Sequence, residues 1–397
     1  MPISRRHLVQ AAAAMGIAGP AGAQTVVLPF ENGERPLARY PQKRPLIRLT
    51  TRPPQLETPF PIYDEGAITP NDAFFVRYHL ANAPPRRGLD PETFRLEVKG
   101  LVDRPLSLSL NELKALPVQE IVAVNQCSGN GRGFFEPRVP GGQAGNGLMG
   151  NARWTGVSLK SVLEKAGVKA GAVEARFDGL DGPVLPATPD FAKSLPIDHA
   201  VDGEVMLAWG MNGKDLPLLN GYPLRLVVPG YYGTYWVKHL NEITLIDKPL
   251  DNFWMATAYR VPDNDCHCTP PGQPAAKTVP IGRLDVRSFI TNLQTGSKVA
   301  AGRSVLVRGI AFDGGTGIRR VMLSADDGKT WTESELGPDL GKYSFRTWGA
   351  RVTLPPGPCR LRAQAVSNAG EFQPMEPRWN PSGYMRNVVE TVTVEAA

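Results

Sequence analysis

Val124-Asn125-Gln126-Cys127-Ser128-Gly129-Asn130-Gly131-Arg132 sets one thiol between a β-branched run (Ile121, Val122, Val124) and a turn of serine, glycine and asparagine. The run reads as a strand, and the small polar residues after it read as the loop that ends the strand. Cys127 would therefore stand at a strand's end, with Arg132 five residues on. A cation near a thiol favours the thiolate, the form that acts as nucleophile or soft metal ligand. The opposing reading is a buried cysteine packed as a small hydrophobe. The polar turn weighs against it.

Working outward, the 397 residues suffice for two or three domains with large cores. Apolar content of 42% and charged content of 21% are those of an ordinary globular protein. Glycine (41) and proline (38) are abundant and scattered, which favours strands and loops over a helical bundle. Residues 1–23 read as an export signal of the twin-arginine type: Ser4-Arg5-Arg6-His7-Leu8-Val9, an alanine-rich stretch, then Ala21-Gly22-Ala23 as a small-residue cleavage site. The mature protein is expected in the periplasm, with no membrane span, because no later run approaches the apolar length a span needs. Loss of Arg5 and Arg6 would leave +4 of the formal +6 charge. Without a long basic run, nucleic-acid binding is disfavoured, and an anionic small substrate or an acidic partner patch remains.

Four cysteines, at 127, 266, 268 and 359, do not make a disulfide framework in a chain this long. Cys266-His267-Cys268 cannot surround a tetrahedral ion without further ligands. A disulfide, or an incidental exposed loop, is the expectation there. The Cys-x-x-Cys-His pattern of covalent haem is missing.

Residues 24–62 are rich in proline and arginine without periodicity, which suggests an extended arm over the surface. Asn71-Asp72-Ala73-Phe74-Phe75-Val76-Arg77-Tyr78-His79 is β-prone, and alternation puts Arg77 and His79 on one face. An edge strand wetted on one side explains such a pair as well as a site does. Phe94–Val98 reads as a strand, and Ser109-Leu110-Asn111-Glu112 as a capping box opening a short helix with Leu113 and Leu116 buried. Residues 133–151 form a glycine-rich loop long enough to line a site. Leu159, Val162, Leu163 and Ala166 have helical spacing, and Gly167 stops that helix. Strands are expected at Val205–Ala208 and Leu224–Val228. After a proline-rich connector at about 262–280, alternation at Leu361, Ala363 and Ala365 and a turn at Asp326-Asp327-Gly328-Lys329 predict a β-sandwich of immunoglobulin-like kind.

Taken together, several ordered segments resemble the molybdenum-binding segments of the sulfite oxidase family. They are Phe74-Phe75-Val76-Arg77-Tyr78-His79, Gln126-Cys127-Ser128-Gly129-Asn130 with Arg132, Ala152-Arg153-Trp154-Thr155-Gly156, Met211-Asn212-Gly213-Lys214, Gly221–Gly230 and Trp236-Val237-Lys238. Within that family the chain most resembles bacterial periplasmic sulfite dehydrogenases. The resemblance implies an α+β protein. A mixed α/β molybdopterin-binding domain with its arm would cover 24–262, and an immunoglobulin-like sandwich of dimerisation type 275–397. It implies oxidation of sulfite to sulfate at a molybdenum–molybdopterin centre with Cys127 as the protein ligand. Arg77, His79, Arg132 and Tyr259 would meet the substrate. Phe75, Val76, Asp181, Asn220, Arg225, Trp236, Val237 and Lys238, with Arg77 and His79, would hold the cofactor. Electrons would pass to a c-type cytochrome, either a subunit or a transient partner, and the assembly would be a homodimer or a heterodimer.

The chain departs from the family in places. Asn220 stands where the family commonly has histidine, and Tyr78 where eukaryotic members have asparagine. The glycine-rich loop offers no match for the tryptophan lining the substrate pocket in animal enzymes. Arg378 and Arg386 are candidates for reaching the pocket from the second domain. The molybdenum subunit of a sulfane dehydrogenase is the rival enzymatic reading. A methionine-sulfoxide reductase of the same superfamily is disfavoured by the sandwich. A secreted binding module with Cys127 merely buried is the non-enzymatic reading.

Overall fold

A computed structural model describes residues 24–81 and 89–397, so the expected export signal lies outside the described residues. The first feature it corrects is the arm. Instead of an extended strap, residues 25–77 form a five-stranded antiparallel sheet: β1 (Thr25–Val27), β2 (Glu34–Ala38), β3 (Leu46–Thr50), β4 (Gln55–Glu57) and β5 (Val76–Arg77). Strands of two to five residues are too short to show a period. The sheet is closed by a non-local pairing, Gln55 with Arg77 and Leu56 with Val76. Leu46, Leu56, Val76 and Tyr78 bury one another in a small core of their own. Alternation past β5 holds as expected: Val76, Tyr78 and Leu80 are buried, while Arg77 and His79 face the other way and stay partly exposed.

Two further sheets build the rest of the first domain. One runs β11 (Ala192–Pro196), β10 (Glu174–Gly179), β15 (Leu240–Ile246), β6 (Leu96–Gly100), β7 (Leu106–Leu108). The other runs β13 (Lys214–Asp215), β12 (Met206–Met211), β9 (Met149–Ser158), β8 (Val118–Gln126), with β14 (Arg225–Val227) also paired to β12. β8 ends at Gln126, which leaves Cys127 at the lip. The glycine-rich loop is shorter than expected. Its first residues make a 3-10 turn (Arg132–Phe134) and its last belong to β9. Helix α1 (Leu110–Lys114) opens with the capping box of Ser109 and Glu112. Helix α2 (Leu159–Ala166) buries Leu159, Val162, Leu163 and Ala166 and ends at Gly167, whose φ of 73° suits glycine.

From residue 287 the chain forms two packed antiparallel layers. One holds β18 (Arg287–Ile290), β20 (Ser304–Phe312), β24 (Arg346–Thr353) and β23 (Glu335–Leu336). The other holds β26 (Thr391–Ala396), β25 (Gly357–Ser367), β21 (Ile318–Ser324) and β22 (Thr332–Glu333), with β19 (Lys298–Val299) parallel to β26 at its edge. Leu361, Ala363 and Ala365 point inward with Val307, Val321 and Val394. Asp327 and Gly328, both at positive φ, turn the chain between β21 and β22, and Asp326 accepts the Lys329 and Thr330 amides. Before the sandwich, β16 (Arg260–Pro262) and β17 (Thr278–Pro280) bracket the connector, and Cys266 is disulfide-bonded to Cys268.

The two halves share one core. Phe289, Ile310, Phe312, Tyr343 and Phe345 of the sandwich join the first domain's buried cluster, and Phe345 meets Tyr63 edge to face. The Val124 amide, just before Cys127, donates to the Tyr343 carbonyl at 2.9 Å. Phe345→Ala is therefore expected to cost about 3–5 kcal/mol and to lower a single shared unfolding transition in calorimetry. A separate, selectively weakened transition for the sandwich would contradict the shared core.

Candidate active site

Cys127 is a free, partly exposed thiol whose amide donates to the Leu148 carbonyl at 2.9 Å. The loop after it turns tightly, with Asn130 N–H returning to the Cys127 carbonyl at 3.0 Å. Facing this lip is a narrow cleft lined by Cys127, Arg77 and His79 from the end of β5, Tyr259, Arg225 from β14, and Lys238. Phe75, Asn220 and Trp236 complete the predicted residues that line it. Residues from five separate parts of the chain thus converge as expected.

The structure fixes their orientations. Tyr259 sits at φ 57°, and its hydroxyl lies 2.5 Å from His79 Nε2 and 3.5 Å from Arg77 Nη2. The His79 ring stacks on Phe191 with centroids 3.7 Å apart. Burial, and then the charges of Arg77, Lys238 and Lys193, hold the imidazole well below its usual pKa. His79 is thus neutral at physiological pH and offers the Tyr259 hydroxyl an uncharged partner. The Arg225 guanidinium donates to the carbonyls of Asn220 (2.8 Å) and Trp236 (3.2 Å) and packs against the ring of Trp154. Lys238 Nζ donates to the Arg77 carbonyl at 2.5 Å.

Other predicted residues sit apart from the cleft. The Val76 and Val237 side chains are buried in apolar clusters, and the Val237 carbonyl accepts the Leu226 amide. Asp181 is buried and acts on Lys238; burial raises its carboxyl to about 6, against the pull of that lysine. Arg132 lies over the Tyr384 ring, 4.9 Å from its centroid, instead of lining the cleft. Arg386 pairs with Glu390 and packs on Phe134. From the second domain it is Tyr384 that reaches the site, stacked on Tyr259 with centroids 5.4 Å apart and rings 7° from parallel.

Sequence reasoning missed Tyr384, Ser128, Thr234 and two buried lysines. Lys193 is fully buried, donates to the Trp254 carbonyl at 2.7 Å and lies 5.4 Å from the Tyr259 ring centroid. A lysine inside Phe191-Ala192-Lys193-Ser194-Leu195 was the available signal. Lys43, from the arm, donates to the side chain of Asn220 at 2.6 Å.

Cations dominate the electrostatics. Burial pulls Lys238, Lys193 and Lys43 each down to about 7, and Arg225 to about 9. The unfolded chain would hold these lysine protons up to about pH 10.4. Between pH 7 and that value it binds more protons than the folded protein, so stability rises with pH there. The protein purified free of bound anions is expected to melt at progressively higher temperature across that window, as read by calorimetry. An anion in the cleft would restore the lysine charges and flatten the rise. A melting temperature that falls with pH in the anion-free protein would contradict the assignment.

Four buried polar atoms around the cleft have no hydrogen-bond partner among the described residues: Asn125 Oδ1, Ser128 Oγ, Thr234 Oγ1 and Arg225 Nε. Buried polar groups are ordinarily satisfied. Orphaned polar atoms beside excess positive charge suit a large polar anion such as a phosphate-bearing pterin, and Cys127 at the lip offers a soft ligand for a metal.

Comparisons with known proteins agree with this chemistry. Residues 81–254 match the oxidoreductase molybdopterin binding domain, and residues 278–397 match the Mo-co oxidoreductase dimerisation domain. The chain is 33% identical to mitochondrial sulfite oxidase of Rattus norvegicus over 377 residues, covering 91% of this chain and 67% of that protein. It is 27% identical to sulfite oxidase of Arabidopsis thaliana, covering 90% and 96% respectively. The sulfane dehydrogenase SoxCD of Paracoccus pantotrophus superposes with a TM-score of 0.74 at 25% identity, covering 96% of this chain and 92% of that one.

Proposed function

This chain belongs to the sulfite oxidase family of molybdopterin oxidoreductases, and on that premise we propose that it is a periplasmic sulfite dehydrogenase delivering electrons to a c-type cytochrome. Its cofactor is molybdenum–molybdopterin, and its chemistry is the oxidation of sulfite. The observation that supports an oxyanion substrate is the charge of the cleft: Arg77 stands in the same narrow space as the Cys127 thiol, backed by Lys238 and Arg225. A fixed guanidinium fork suits a small tetrahedral oxyanion.

When bound, the cofactor supplies the two-electron oxygen-transfer chemistry. The chain's own residues then have distinct tasks. Cys127 gives the thiolate ligand. Arg77 would bind and orient the oxyanion, with the Tyr259 hydroxyl 3.5 Å from its guanidinium. Tyr259 keeps its proton, because burial raises its pKa, and donates a hydrogen bond as a neutral phenol. His79 holds that hydroxyl in place. Arg225, Lys238 and Asn220 would hold the cofactor's polar end, and Phe75 and Trp236 would pack against it. Among the described residues no helix is long and apolar enough to cross a membrane. The match of the second domain to a dimerisation domain supports a homodimer, with a cytochrome heterodimer as the other arrangement.

The test is sulfite-dependent reduction of cytochrome c by the exported protein, with molybdenum determined on the same sample. Turnover with stoichiometric metal supports the proposal. The likeness to SoxCD supports sulfane oxidation as a second reading, and full metal without response to sulfite would select it.

A further inference from the structure

The arm carries a buried cation that the roles above leave unused. Lys43 is 6% exposed, and its ammonium donates to the carbonyls of Asn71 (2.6 Å) and Phe74 (2.9 Å) and to Asn220 Oδ1 (2.6 Å). All three partners are uncharged oxygens. The carboxylate whose charge acts on Lys43, Asp72, is itself bonded by Arg44 at 2.8 Å. A buried lysine without a carboxylate is costly to keep. Held against the wall of an anion-binding cleft, it has an electrostatic use.

We propose that Lys43 is a positioning residue for the anionic end of the molybdopterin, acting through Asn220. The Phe75 carbonyl can only accept, so the Asn220 atom that meets it is the amide nitrogen, and the amide oxygen is the atom that faces Lys43. The amide nitrogen therefore lies on the other side, where it donates to the Phe75 carbonyl at 3.1 Å and keeps one hydrogen free for a ligand. The same residue's main-chain carbonyl accepts Arg225 Nη1 at 2.8 Å. Lys43, Asn220 and Arg225 thus form one connected unit, and Asn220, Arg225 and Phe75 line the cleft. Without Lys43 the Phe75 carbonyl alone holds the amide, and a turn about that weaker hold would present its oxygen to the anion, a repulsive contact. The cation also places positive charge behind an uncharged side chain. This gives the arm's sheet a reason to be ordered: the Arg44–Asp72 pair and the Arg44 amide bond to the Asp72 carbonyl at 3.1 Å pin Lys43 in place.

The experiment compares cofactor-loaded wild type with Lys43→Met, Asn220→Ala, the double variant and Asn220→Asp. The readout is pterin retained after dialysis, from the fluorescence of the oxidised pterin, with apoprotein melting temperatures measured alongside. It does not depend on which sulfur compound is turned over. Each single variant is expected to retain the cofactor about tenfold less well or worse, the range found for residues behind a site's direct contacts. The double variant is expected to lose no more than the worse single, because both act through one contact. Asn220→Asp keeps a partner for Lys43, so it folds, yet it turns a carboxylate toward the anion and is expected to lose the pterin. Wild-type retention in Lys43→Met or in Asn220→Asp would overturn the proposal. So would losses that multiply in the double variant, or a retention loss that only tracks a lower apoprotein melting temperature.

Discussion

Cys127→Ser is expected to abolish sulfite turnover and strip the protein of molybdenum while leaving its melting temperature near that of the wild-type apoprotein. The side chain stands at the end of β8, partly exposed, and its loop is held by main-chain bonds that serine would keep. Cys127 packs only at the margin of the core, and serine keeps its shape there but for the smaller oxygen. What is lost is chemistry: cysteine sulfur is a soft metal ligand, whereas a serine oxygen is hard. The loss of activity should exceed the roughly tenfold to hundredfold typical of residues that only support a metal ligand. Metal analysis, turnover and calorimetry on one preparation read all three consequences. Full metal content with unchanged turnover in Cys127→Ser would remove Cys127 from the centre.

That this cysteine was legible in sequence has a local cause. A β-branched run followed by Ser128, Gly129, Asn130 and Gly131 specifies a strand and its end within nine residues. The capping box of Ser109 and Glu112, the Leu159–Ala166 stripe and the Asp327-Gly328 turn are equally short-range, and each formed where expected. The arm was not legible because its order comes from pairing Gln55 with Arg77, 22 residues away, and from the contact of Lys43 with Asn220, 177 residues away. Tyr384 was missed for the same reason: its role follows from stacking on Tyr259, across the boundary between the two domains. Arg132 does bring its charge to bear on Tyr259, as its offset from Cys127 implies, but its guanidinium lies over the Tyr384 ring, which no spacing rule contains.

Arg225→Met is expected to separate folding from function, leaving the first nearly unchanged and abolishing the second. Arg225 is buried among Trp154, Trp236 and main-chain carbonyls, and among the described residues no carboxylate forms an ion pair with it. Burial pulls its pKa down to about 9, which marks a charge the apoprotein holds at a cost. Exchanging a buried charge for an apolar side chain of similar volume is often neutral, or stabilising by roughly 1–4 kcal/mol. Here the carbonyls of Asn220 and Trp236 lose a donor, at about 1–3 kcal/mol each when left unsatisfied. The two effects nearly offset, so the anion-free variant should melt close to wild type. Cofactor loading responds differently, because the bound anion would lose a desolvated charge-assisted partner worth about 2–5 kcal/mol, or some thirtyfold to several thousandfold in affinity. The variant should therefore fold, keep its sheets, and be isolated without pterin. Calorimetry on the apoprotein and pterin fluorescence on the loaded protein read the two halves separately. A large drop in apoprotein stability with the pterin retained would make Arg225 a structural residue and leave the cleft's anion to Arg77 and Lys238.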